Sequence, residues 1–164
     1  MPKRTKFAVV ATTAAVLALA SSASAQAPIG AQLAQVRAAT AKYHNVSKAI
    51  ADGYVQVSPC VSSPAGGMGV HYRKNALLNG QVNALTPEVL VYQPMKNGKL
   101  RLVAVEYFEF ATAVNNTAPT VLGQTFVGPE THGIPAHFEL HVWLWKHNPS
   151  GMFAQWNPRV VCPS

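Results

Sequence analysis

Aspartate is nearly missing from this chain: Asp52 stands alone among 164 residues, and Asp and Glu together number six. That shortage leaves a Ser-His-Asp triad with one orienting aspartate, on a predicted helix, and no Gly-x-Ser-x-Gly turn occurs. Gly66-Gly67-Met68-Gly69 lacks the following Lys-Ser/Thr of a phosphate loop. There is no Cys-x-x-Cys, no His-Glu-x-x-His and no internal repeat. Basic residues form no stripe: Arg37, Lys42, Lys48, Arg73, Lys74, Lys96, Lys99, Arg101, Lys146 and Arg159 are scattered. No nucleic-acid partner is expected from such a pattern.

One long apolar run exists, Phe7 to Ala20, and it follows Lys3, Arg4 and Lys6. Ala23-Ser24-Ala25 then has the form of an A-x-A cleavage site. Residues 1–25 are therefore expected to be a secretory signal peptide, with residues 26–164 a single globular domain. The run is too short for a stable bilayer span, so no membrane span is expected once the leader is removed. No cysteine stands at its cleavage site, so no lipoprotein anchor is expected, and no Arg-Arg pair precedes it, which points to the general secretion route. The formal charge of +7 includes three leader cations, so the exported domain would carry +4. Export to the periplasm or medium meets an oxidising compartment, and Cys60 and Cys162 are expected to form a disulfide there.

The fold class expected is α+β: an N-terminal amphipathic helix packed on a curved, mainly antiparallel sheet or partial barrel. Gly30 to Tyr54 reads as one helix, with Leu33, Val36, Thr40, Tyr43, Ser47, Ile50 and Tyr54 recurring at spacings of three and four. Gly53 marks its C-terminal end. Val55 to Gly69 reads as irregular and Val70 to Tyr72 as extended. Asn79-Gly80 is a turn signal. Glu88 to Gln93 and Leu100 to Phe110 read as strands joined by an Asn97-Gly98 hairpin turn. A loop from Val114 to Pro135 follows, then a strand from His137 to Trp145. Met152 to Trp156 reads as a last short strand.

The stretch from His137 to Trp145, HFELHVWLW, carries the most chemistry. On a strand, alternate side chains share a face. His137, Glu139, His141, Trp143 and Trp145 would line one face, and burying such a set is costly unless something binds. Glu106 has the same character: it lies with Leu102, Ala104, Phe108 and Phe110 on the more apolar face of its strand. It must be paired, protonated or bound to a metal. Glu109 would share the other face with Arg101. Positions two apart on a strand, His137/Glu139 or Glu139/His141, are spaced for ligation, with His71, Glu106 or His132 as a third ligand. His137 and His141 lie about 13 Å apart at the backbone, too far to share an ion without a bulge. Imidazole with carboxylate suits a divalent transition metal: zinc, copper, iron or manganese. Glu106 and Glu139 could also form a carboxylate pair for glycoside cleavage. Trp143 and Trp145 could line an apolar ligand pocket, or simply the core. His44 and His147 read as surface residues.

The segments ATAKYHNVSKAIADGY, GGMGVHY, LTPEVLVY, LVAVEYFEF and ELHVWLWKHNPSGMFAQWNP resemble a group of uncharacterised small exported bacterial proteins. The resemblance implies a compact secreted domain and carries no activity with it. Glu139-Leu140-His141-Val142 also looks like a zinc-ligand strand of α-type carbonic anhydrases. That family's paired His-x-His strand is missing here, and the chain is much shorter, so no role is carried over.

The leading expectation is an exported domain binding a small molecule or metal ion in a pocket of His71, Glu106, His137, Glu139 and His141. The rivals are a metal-dependent enzyme of hydrolytic, lyase or oxidative type, and a cell-envelope interaction protein whose histidines are structural.

Overall fold

In a computed structural model, the structure describes Met1 and residues 26–163. The signal peptide assigned from sequence falls outside these residues, apart from Met1. The described chain is α+β, with a curled antiparallel sheet forming a half-barrel. No described helix is long and apolar enough to cross a membrane.

The helical segment is broken, not continuous. Helix α1 spans Ile29–Thr40, a 3-10 turn spans Ala41–His44, and helix α2 spans Val46–Ala51. The break has a local cause. Asn45 adopts an extended conformation and its side chain accepts a hydrogen bond from the Ser47 N–H, starting a new helix. The interruption also shifts the helical phase. Val36, Thr40 and Tyr43 are buried as the spacing predicts, but Ala49 takes the inward position and Ile50 is 54% exposed. Gly53, at φ 91°, ends α2 with its N–H on the Ile50 carbonyl.

Strands β1 (Val55–Ser63), β2 (Gly66–Arg73), β3 (Val89–Pro94) and β4 (Leu100–Phe110) follow in sequence. A two-stranded ribbon of β5 (Thr120–Val121) and β6 (Gln124–Thr125) precedes β7 (Val127–Glu130) and β8 (His137–Val142). The main sheet has the order β1-β2-β3-β4-β8-β7. The segment from Val55 to Gly69, expected to be irregular, is instead an edge hairpin. Pro59 obscures it: the β1 register slips between Gln56 and Cys60, where a residue without an N–H is tolerated. Asn97-Gly98 does form the β3–β4 turn, with Gly98 at φ 76° and the Met95 N–H on the Lys99 carbonyl.

A bulge governs the faces of β4. Val91 pairs with Ala104 and Tyr92 with Leu102, leaving Val103 as the extra residue. Strict alternation therefore fails there. Leu102 joins Val105 and Tyr107 on the face covered by the helical segment, while Val103, Ala104 and Phe108 pack on the other. Arg101 and Glu109 consequently do not share a face, and Glu109 is buried, not ordinary surface.

Tyrosine hydroxyls anchor the first core. Tyr92 donates to the Tyr43 carbonyl, Tyr54 to Pro87 and Tyr107 to Ala84. Each buries a ring without stranding its hydroxyl.

The second core is closed by the C-terminal segment, residues 143–163. It is a strap of turns, not the expected strand at Met152 to Trp156. Its ladder contact is one bridge, Gly67 with Asn157, bonded both ways at 3.0 Å. A Cβ on Gly67 would lie 2.7 Å from the Val160 carbonyl oxygen, so glycine is what admits the strap. The Cys60–Cys162 disulfide ties its end to β1 across 102 residues.

Candidate metal centre

Register brings the chemistry together. Glu106 pairs directly with His141 across β4–β8, Phe108 with Glu139, and Phe110 with His137. His71 stands on β2, two strands from β4, opposite Val91 of β3. The intervening β3 side chains on this face are the valines Val89 and Val91, and the longer side chains meet above them.

Two groups result. The first is His71, Glu106 and His141, whose ligand atoms all lie within 4.8 Å of one another. His71 Nε2 is 3.4 Å, and His141 Nε2 3.6 Å, from Glu106 Oε2. The second is His132, His137 and Glu139, equally close. Here His137 Nε2 is 3.4 Å and His132 Nε2 3.9 Å from Glu139 Oε2. Either group could hold a metal ion. His137 and His141 thus belong to different groups, as their backbone separation requires.

The outer partners fix which nitrogen is free. His137 Nδ1 lies 3.0 Å from the Pro135 carbonyl, which can only accept, so Nδ1 carries the proton and Nε2 the lone pair. The Ser58 hydroxyl donates to the Pro59 carbonyl and accepts from the His71 backbone N–H. Its oxygen is 2.8 Å from His71 Nδ1, so with the hydroxyl proton spent, Nδ1–H donates and Nε2 is left as a base. Gln155 donates to Glu139 Oε1 at 2.8 Å and to Glu130, leaving Glu139 Oε2 toward the histidines. Outer contacts of this kind orient the side chains as they would be oriented in a metal site.

Burial sets the protonation. Four of the six carboxylates, Glu88, Glu106, Glu109 and Glu139, are buried. Burial holds His71 down at about 4, with the charge of His132 adding to it. Burial first, then His71 and His132, hold His141 at about 3. Burial, then the Glu139 carboxylate, push Glu106 well above the usual carboxylate range. Close His–Glu contacts in the first group are therefore not ion pairs in the metal-free chain. They are neutral imidazoles facing a carboxyl that tends to keep its proton. Arg73, which pulls Glu106 the other way, rests over the Phe108 and Phe110 rings instead of bonding the carboxylate.

Several buried atoms lack any hydrogen-bond partner among the described residues: Glu106 Oε2, both ring nitrogens of His141 and His137 Nε2. Each such orphan costs about 1–3 kcal/mol. Trp145 Nε1 is also unpartnered among the described residues, away from both groups, whereas the buried Glu109 carboxylate faces the Asn79 and Gly80 backbone. A cavity of about 10 Å³ adjoins Glu139 and His141, walled by Val127, Phe153 and Gln155, with room for one water.

The tryptophans separate. Strand β8 ends at Val142; alternation carries on through Trp143, which keeps the face of His141, and fails at Trp145. Trp143 is buried, stacks on His141 at 6.0 Å and donates to the Ala154 carbonyl. Trp145 packs against the helix-side core, edge-on to His44 at 4.3 Å. They do not line a common pocket. Sequence reasoning missed Ser58, Glu130 and Gln155; only the spacing of Glu130 and His132, two apart, carried any signal.

Comparison with family models, with curated proteins and with solved structures finds no match.

Proposed function

We propose that this chain is an exported domain that binds a divalent transition-metal ion through His71, Glu106 and His141. The observation carrying this reading is the convergence of two imidazole lone pairs and one carboxylate oxygen on a single buried point, with His141 Nε2 and Glu106 Oε2 otherwise unpartnered. Two imidazoles favour zinc, copper or iron, and the single carboxylate is the donor that suits manganese. Export is supported by the leader-like residues 1–25 and is compatible with the disulfide. The test is metal content and zinc uptake of the untagged full chain, beside His141→Ala. Uptake by the parent and its loss in a variant with an unchanged circular dichroism spectrum support the reading. A parent that takes up none of the four metals overturns it and leaves the histidines as structural residues of an interaction protein.

A second reading, a metal-dependent enzyme of hydrolytic, lyase or oxidative type, draws on one feature. Three protein ligands would leave a coordination position open, and the cavity beside His141 and Glu139 has room for one water-sized molecule. That space suits a water or diatomic molecule, not a bulky organic ligand.

A further inference from the structure

The second group is as carefully prepared as the first, and its donors point at a different place. His137 is fully buried, its Nδ1 is committed to the Pro135 carbonyl, and its Nε2 has no hydrogen-bond partner among the described residues. His132 Nδ1 lies 3.0 Å from Glu130 Oε2, which turns Nε2 toward Glu139 Oε2. Glu139 Oε1 is held by Gln155, and the same oxygen lies 3.9 Å from His141 Nδ1, the back of a ligand in the first group. Each donor has its far side occupied and its near side free, the arrangement that outer partners impose on metal ligands.

We infer that the chain binds two divalent transition-metal ions side by side: the buried one described above, and a second held by His132, His137 and Glu139. This inference rests on the proposed metal-binding reading. Glu139 joins the two positions, with one oxygen on the second ion and the other facing the imidazole of His141. The positions differ in access. His71, Glu106 and His141 are all closed off, whereas the His132 side chain is 54% exposed, on the loop between β7 and β8. The second ion therefore exchanges faster and is the first to be removed by a mild chelator.

Zinc titration by calorimetry, with metal content after gel filtration, tests this on the untagged full chain, on His132→Ala and on His71→Ala. The exposed His132 side chain can be removed without disturbing the core. Two equivalents in the parent are expected, with one lost in each variant. A single equivalent in the parent overturns the pair. If that equivalent disappears only in His71→Ala, the buried site stands without its neighbour. No equivalent at all overturns the pair together with the reading beneath it.

Discussion

His141 Nε2 and Glu106 Oε2 face each other at 3.6 Å from directly paired positions on adjacent strands, and neither atom has a hydrogen-bond partner among the described residues. A proton or a cation between them resolves the same defect. The carboxyl is raised and the imidazole lowered, so in the metal-free chain the proton sits on Glu106.

Glu106→Gln separates those two occupants. The amide keeps the shape and neutrality of a protonated carboxyl but cannot become an anionic ligand. Thermal unfolding of the metal-free variant should stay within about 1 kcal/mol of the parent, as a volume-conserving change allows. Zinc affinity should fall on the order of 100-fold or more, beyond the usual cost of losing an outer partner. Unchanged zinc affinity would exclude Glu106 as a ligand.

Ser58→Ala removes the oxygen behind His71 without touching the ligand atoms. The ring then loses its orientation and its fixed tautomer. Zinc affinity should drop about 10–100-fold, the range seen for outer-shell partners. Circular dichroism should not change. A variant that binds zinc as the parent does would show that Ser58 does not orient the ring.

Stability against pH should carry the mark of Glu88. Burial pushes its carboxyl up to about 7 from 4.5, partly opposed by the Phe108 N–H that it accepts. Between those values the folded chain holds a proton that the unfolded chain has released. Its contribution to stability is fully present below pH 4.5 and is lost as pH rises through about 7. Glu88→Gln removes that loss while retaining an acceptor oxygen. In denaturant melts, the variant should gain on the parent steadily from pH 4.5 to about 7 and level off above. A difference that is flat with pH would mean that Glu88 does not titrate there.

Cys60→Ser with Cys162→Ser should lower stability by about 2–5 kcal/mol, because the bridge closes a long loop in the unfolded chain. Chemical denaturation of the double variant reads this directly. A loss below about 1 kcal/mol would show that the strap holds by its core contacts, Val160 above all, without the bridge.

Strand β4 was legible to the residue, and so were the Asn97-Gly98 turn, the Cys60–Cys162 pair and the α+β class with its curled antiparallel sheet. Local patterns specify these features. What could not be read was set at a distance or by one-residue slips. The Val103 bulge moves Leu102 to the opposite face and parts Arg101 from Glu109. Asn45 restarts the helix and trades Ile50 for Ala49. Ser58 and Gln155 reach the site from 13 and 16 residues away, through contacts that no period announces.

Chain order has a consequence for assembly. His71, Glu106, His132, His137, Glu139 and His141 all precede the strap, so they emerge from synthesis before Gln155 and Cys162. The segment that steadies Glu139 is therefore the last part of the site to be made. Gln155 and the bridging Cys162 then act as a late latch, closing over side chains that are already in place.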